Sequence, residues 1–391
     1  MERAVILEGA RTPVGKFLGT LSEVPTVDLG ITAAREAMRR AGVDAAAVQE
    51  VVFGHARQAG NGPNTARQVA YRSGIPQEVP AYTVNMACGS GTKAVEMAAA
   101  QIALGTTEVA VAGGMENMTR TPFILDRMRF GYRMGNATVH DGMYRDGFLD
   151  PLCGLVMGET AENLARKYGI PREEQDEFAQ ASQRKAEDGK ERRSKEIVAV
   201  EVTGRKGQVT AVTEDEHPRP DTTLESLAKL PPVFAEDGTV TAGNASGITD
   251  GAAALVLMSE SRATAEGREP LARVVAAASA GVDPAYMGIG VVPAVQKVLE
   301  RTGLQVADFD VIEINEAFAG QVLAVDRELK VDHDRLNTKG GAIALGHPIG
   351  MSGARLVLTA AYELRERGGS LALVALCISG GQGMAVVLER A

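Results

Sequence analysis

A chain of 391 residues has room for two core-sized units, and its formal charge of −9 excludes a general affinity for nucleic acid, so an anionic ligand needs a local basic patch. Hydrophobic residues make up 45%, but no uninterrupted apolar run reaches the roughly 18 residues of a membrane span, so no membrane partner is expected. Three cysteines make no disulfide framework, and no charged leader precedes Ala4-Val5-Ile6-Leu7, so the expected compartment is the reducing cytoplasm.

Residues 4–10 read as a strand and 11–16 as a loop, followed by an Ala-rich helix over 27–41 that Gly42 stops. A second buried strand covers 51–54, and another helix covers 65–73. The third strand, 84–87, runs into the turn Cys88-Gly89-Ser90-Gly91 and a helix over 92–104, with Gly105 as its stop signal. Residues 108–114 make a fourth strand. This alternation implies right-handed crossovers and a largely parallel sheet covered on both faces.

The rhythm breaks between Thr119 and Ser246. Residues 119–150 are rich in Arg, Met, Gly and Asp with weak periodicity, and helical patterns follow over 160–168 and 171–188, Pro171 being suited to a first turn. The charged run 184–195 reads as a solvated helix face, and 217–232 as loop. Regular structure resumes with strands over 251–258 and 272–278 and a helix over 293–301, then a strand over 310–314 leading into Asn315. A glycine-rich turn over 340–350 feeds a helix over 352–365, and strands over 371–376 and 384–388 close the chain.

The two halves read as copies. Residues 84–114 and 341–381 each run turn, helix and a strand ending in Gly-Gly, and 251–258 pairs with 383–388 as the closing piece. An α/β unit duplicated in this way, with a long insertion in its first copy, predicts three parts: a first half over 1–118 completed by 249–268, an inserted domain over 119–248, and a second half over 269–391. Pseudo-symmetry then brings the Cys88 and His347 turns to one interface.

Cys88 stands where a strand hands over to a helix N-terminus, where free N–H groups and the helix dipole favour a thiolate; the alternative is a buried structural cysteine. His347, between Gly346 and Pro348, is held rigidly as a general base must be, or is a turn histidine bonded to backbone. Cys377 ends a buried strand at a glycine loop, and Asn315 opens a helix, where an ordinary N-cap is the alternative. His55, His140, His217 and His333 lack metal-ligand spacing, Cys153 reads as packing, and neither a P-loop nor a dinucleotide fingerprint is present. Taken together, two thiols, an imidazole and an amide beside glycines supply a nucleophile, its base, a second acid/base and an oxyanion donor.

Several long stretches, in order, resemble the thiolase family over nearly the whole chain. They are Arg11-Thr12-Pro13-Val14-Gly15-Lys16-Phe17, Val84-Asn85-Met86-Ala87-Cys88-Gly89-Ser90-Gly91 and Gly113-Gly114-Met115-Glu116-Asn117-Met118. Met157-Gly158-Glu159-Thr160-Ala161-Glu162-Asn163, Thr241-Ala242-Gly243-Asn244-Ala245-Ser246-Gly247 and Asn315-Glu316-Ala317-Phe318-Ala319 follow, then the His347 and Cys377 loops.

The resemblance implies two duplicated βαβαβαββ halves in a layered αβαβα arrangement, with a loop domain inserted in the first half. It implies a CoA-dependent acyltransferase without metal or redox cofactor, coenzyme A being the co-substrate. Cys88 would attack a 3-ketoacyl-CoA, His347 would activate it, and Cys377 would protonate the released enolate. One oxyanion hole would come from His347 with an Asn315-held water, the other from the backbone N–H groups of Cys88 and Ser379. Arg219 would lie beside the CoA adenine, Ser246 would bond the pantetheine arm and Met157 would line the acyl pocket. A homotetramer, a dimer of dimers, follows from residues 119–141, which fall where relatives have a tetramerisation loop.

Two departures bear on the substrate. Ser379 replaces a frequent glycine, and Val156 stands where short-chain biosynthetic thiolases carry histidine, which widens the expected acyl range. The readings left open are acetyl-CoA C-acetyltransferase, a broader-chain degradative 3-ketoacyl-CoA thiolase, a decarboxylating condensing enzyme acting on carrier-protein substrates, and a non-catalytic acyl-CoA-binding protein of the same fold.

Overall fold

Strand β1 (Ala4–Arg11) opens with the apolar run Ala4–Leu7, buried on both faces. Helix α1 (Thr26–Ala41) stops at Gly42, whose φ of 61° lets its N–H turn back onto the carbonyls of Arg39 and Met38. Strand β2 (Glu50–Gly54), helix α2 (Thr65–Arg72), strand β3 (Ala81–Val84), helix α3 (Ser90–Ala103) and strand β4 (Val109–Asn117) complete the first run. Helices α4 (Met157–Tyr168) and α5 (Arg172–Asp188) belong to the irregular segment. The second run comprises β5 (Thr249–Ser259), β6 (Ala272–Gly281), α6 (Val291–Thr302), β7 (Val311–Ile314), α7 (Ala319–Leu329), α8 (Ile349–Arg367), β8 (Leu371–Ile378) and β9 (Gln382–Arg390). The computed structural model describes residues 2–204 and 206–391.

The strands lie in the order β7-β8-β9-β6-β1-β5-β4-β2-β3, and Gly15–Lys16 adds a short pairing to β5. Among the described residues the two half-sheets join only through Val5 opposite Arg273 and Ile6 opposite Ala272. Side-chain alternation sorts the residues into layers. Val51 and Phe53 of β2 and Val111 of β4 meet Ala33 and Ala37 of α1 and Val69 of α2 on one outer face. Ala110 and Ala112 point the other way, onto Val95 and Ile102 of α3 and Leu356 and Val357 of α8, which Val374 and Leu376 of β8 cover from the far side. Leu373 and Ala375 then face Val295 of α6 and Val322 of α7. The result is a five-layer αβαβα stack with α3 and α8 in the middle.

The crossing of α3 and α8 carries the internal symmetry. A Cβ at Gly91 would lie 2.6 Å from the Ala354 nitrogen, and one at Gly353 would run into Thr92, so each helix needs its glycine for the other to approach. The match is incomplete, because the second half has only a single parallel bridge, Ile312 to Leu336, where the first has β3.

The sheet is mixed, not largely parallel as the alternation implied. Among the named strands of the described residues only β2/β3, β2/β4 and β7/β8 pair in parallel. Strand β5 returns after the insertion and enters antiparallel between β1 and β4. Strands β8 and β9 form a hairpin, which needs no crossover, because Gly380 and Gly381 supply φ of 85° and 72°.

The strand expected over 84–87 ends at Val84. Beyond it, local side chains satisfy the backbone: Asn85 Oδ1 accepts from Ala87 N–H (3.0 Å), and Ser90 Oγ accepts from Met86 N–H (2.9 Å). Asn315 does not open a helix either, since α7 starts at Ala319. Pro171 caps α5 from just outside.

The charged stretch 184–195 is only partly solvated. Arg193 is buried beside Asp215, which also receives Arg11 at 2.7 Å. Glu196 accepts from Arg11 and Lys339, both at 3.0 Å, and Lys339 also lies 3.3 Å from Glu363 of α8. These buried pairs fasten the inserted segment to β1, to the loop before His347 and to α8. Replacing Lys339 with methionine strips Glu196 and Glu363 of a cation in a site closed to water. The expected loss is about 3 kcal/mol, read as a lower denaturant midpoint; an unchanged midpoint would show that the network adds no net stability.

Candidate active site

Cys88 sits at the apex of its turn because Ala87 before it adopts a left-handed φ of 44°, rare for a residue with a side chain. The hydroxyl of Ser90 holds the bend by donating to Ala87 O at 2.6 Å. Gly89 is required for room, since a Cβ there would lie 2.5 Å from Ile378 Cδ1, next to Cys377. The sulfur is partly open to a cavity, but protein surrounds it. Burial pushes the Cys88 thiol up, and the Arg57 charge and the backbone N–H groups of Ser379 and Cys88 offset this only in part. The resting group is therefore a thiol, where the helix-terminus argument predicted a thiolate.

His347 lies between two helices, the short turn Ala342–Leu345 and α8, and not at a strand end. Ser352 Oγ donates its one proton to Pro348 O (2.9 Å), so it accepts from His347 Nδ1–H at 2.6 Å. This network assigns the tautomer and leaves a lone pair on Nε2. Burial, reinforced by Arg355 and Arg57, lowers the His347 pKa to about 4, so the ring is neutral at pH 7. The Nδ2 of Asn315 lies 3.4 Å from this Nε2, a long contact, and Asn315 Oδ1 accepts no hydrogen bond from the described residues.

Cys377 is buried near the end of β8, and burial, then the neighbouring Cys88, pushes its thiol up. Its loop is fixed by Asp150, which accepts from Gly380 N–H at 2.9 Å. Glu116, at the end of β4, accepts from the N–H groups of Gly350 (2.9 Å), Arg57 (3.0 Å) and Ala56 (3.2 Å), with His55 Nε2 at 3.2 Å. One buried carboxylate thus ties the His347 loop to the first half.

A cavity of about 280 Å³ gathers Cys88, His347, Cys377, Ser379, Ser246, Val156 and Met157. Asn315 stands behind His347, outside the lining. Arg219 borders a second depression of about 300 Å³, which shares the Ala242 wall with the first. Residues the sequence reading passed over are Ser352, Asp150, Glu116 and Arg57. Only Glu116 carried a signal, as a charge at the end of an otherwise apolar strand.

Residues 4–261 match the family model for the thiolase N-terminal domain, and residues 268–390 that for the thiolase C-terminal domain. The acetyl-CoA acetyltransferase of Escherichia coli strain K12 is 50% identical over 393 residues, covering 100% of both chains. The crystal structure of Bacillus anthracis acetyl-CoA acetyltransferase has a TM-score of 0.97 at 44% identity and covers 100% of this chain and 99% of that one. Human mitochondrial 3-ketoacyl-CoA thiolase has a TM-score of 0.96 at 41% identity, with the same coverage.

Proposed function

This chain belongs to the thiolase family, and we propose that Cys88 is the nucleophile through which it transfers acyl groups. The reaction cleaves a 3-ketoacyl-CoA with CoA into acetyl-CoA and a shortened acyl-CoA; its reverse condenses two acetyl-CoA into acetoacetyl-CoA. The observation that carries the role of Cys88 is that two thiols, Cys88 and Cys377, share one cavity with a neutral imidazole whose unprotonated Nε2 can take a proton.

As the Cys88 sulfur attacks the 3-keto carbon, its proton passes to His347 Nε2. The backbone N–H groups of Cys88 and Ser379 receive the oxyanion; both already face the sulfur. Breaking the carbon–carbon bond releases the acetyl-CoA enolate. Its oxygen is received by His347 together with a water held by Asn315, and its carbon takes the proton of Cys377. A CoA thiol then removes the acyl group from Cys88. In the condensing direction Cys377 removes the α-proton of the second acetyl-CoA. Replacement of glycine by Ser379 leaves this chemistry intact, because the backbone N–H does the work.

The lining suits CoA by the groups it brings together. Cys88, Cys377, Ser246 and Met157 line one cavity, and Arg219 borders the depression that adjoins it across the Ala242 wall. Residues 119–248 supply Met157, Arg219 and Ser246, which supports treating them as a CoA-binding insertion between the two halves.

With Val156 on the wall in place of a histidine, we infer an acyl range beyond acetoacetyl. The test is CoA-dependent cleavage of 3-ketoacyl-CoA with four, eight and sixteen carbons. Rates on the longer chains equal to or above the four-carbon rate support this reading. Activity confined to four carbons would make the enzyme a strict acetyl-CoA acetyltransferase.

Apolar side chains cluster in the open on the segment we assign to assembly: Phe123, Met128, Phe130 and Met134 are 68%, 67%, 83% and 94% exposed. We infer that they are covered in a homotetramer. Light scattering should give four times the mass of one chain, and a stable dimer at micromolar concentration would overturn this. Among the described residues no helix is long and apolar enough to cross a membrane. The three cysteines are free, and from these unpaired thiols we infer a reducing, cytoplasmic setting.

A further inference from the structure

Most of the wall around Cys88 is apolar, including Met118, Phe148 and Ile349. One charged side chain interrupts it. Arg57, only 7% exposed, lines the same cavity, yet its guanidinium forms neither a hydrogen bond nor an ion pair with the described residues, and its Nε is buried without a partner. The Arg57 charge is felt by the carboxylate of Glu116, but that group is already engaged by three backbone N–H groups and His55. The guanidinium packs on the backbone of Gly147, within the Tyr144–Phe148 turn; a Cβ there would overlap it, so the glycine leaves it a fixed seat.

A guanidinium stays charged at any physiological pH, and holding one unpaired in an apolar wall is costly. Catalysis as derived above assigns it no step. The cost is recovered if the substrate brings the missing anion. On the thiolase reading, we propose that Arg57 is a specificity-determining residue that binds a carboxylate at the far end of the acyl chain. The preferred substrate class is then a 3-oxo-dicarboxylic acyl-CoA, whose planar carboxylate matches the planar fork of arginine. Such a substrate would come from a reaction class that oxidises the 3-position of a dicarboxylic acyl-CoA.

The test compares thiolysis of 3-oxoadipyl-CoA, six carbons ending in carboxylate, with 3-oxohexanoyl-CoA, the same length ending in methyl. Wild-type enzyme should favour the carboxylate by roughly 10–100-fold in kcat/KM. Arg57→Leu should erase that ratio, and Arg57→Lys should restore part of it. The ratio is the readout because loss of the Arg57 charge also acts on the Cys88 thiol, which slows both substrates alike. A wild-type ratio near one, or an equal loss on both substrates in Arg57→Leu, would overturn the proposal. Acetoacetyl-CoA is run beside them: its cleavage with no carboxylate preference sinks this inference alone, whereas failure on all three substrates sinks the thiolase reading with it.

Discussion

Cys88→Ala should abolish thiolysis and condensation together, by at least about 10⁴-fold in kcat. Each direction passes through the same acyl-sulfur bond, so no residual route should favour one. The bend does not depend on the sulfur: Asn85 and Ser90 hold it through Ala87 and Met86, and Gly89 provides the clearance from Ile378. The variant should therefore fold as wild type and still bind CoA thioesters. Intact-mass spectrometry after incubation with acetyl-CoA separates the possibilities. Wild type should gain one acetyl group and the variant none. An acetylated variant would mean that another residue is the nucleophile.

Cys377→Ala should split the cycle. Attack by Cys88 needs only His347 and the two backbone N–H groups, so acetyl transfer from acetyl-CoA onto Cys88 should persist. Protonation of the enolate, and removal of the α-proton in condensation, need the second thiol, so turnover should fall by roughly 10²–10⁴-fold. Cys377 is buried among apolar side chains, and the lost sulfur leaves a small cavity costing about 1 kcal/mol. Cys377→Ser keeps the volume and serves as the control for packing. A serine variant as slow as the alanine variant, with normal acylation, places the loss in proton transfer. Normal turnover in Cys377→Ala would remove it from the mechanism.

The protonation states link these expectations. His347 is neutral above about pH 4, and both thiols are held protonated by burial, so the resting site carries no formed thiolate–imidazolium pair. The proton on Cys88 moves when the substrate arrives. Sequence suggested the opposite for Cys88 because a helix N-terminus is visible locally while the packing around the sulfur is not.

Glu116 illustrates the same limit. Its strand was legible, but the Gly350 N–H it receives lies 234 residues away, and no local pattern announces such a contact. Arg57 reads in sequence as one more basic residue in a loop; only the apolar wall around it makes its charge exceptional. The run 184–195 reads as solvated on its composition, but Arg193 is buried because Asp215, from a later turn, meets it there.

What the sequence determined by itself is whatever short-range physics encodes. Gly42 ends α1 by its left-handed φ, and apolar periodicity marks the strands and helices. The repeated turn–helix–strand pattern also pairs residues 84–114 with 341–381, the stretches that carry Gly91 and Gly353. The types of reactive group and their glycine neighbours were equally plain. Only the tertiary structure decided that β5 and β9 run antiparallel to their neighbours and that Asn315 stands behind His347. It also decided that Ser352 sets the tautomer of His347 and that the Arg57 guanidinium finds no ion-pair partner among the described residues. These depend on which distant groups share a site closed to water, where desolvation and pairing energies outweigh any preference that neighbours in the chain can express.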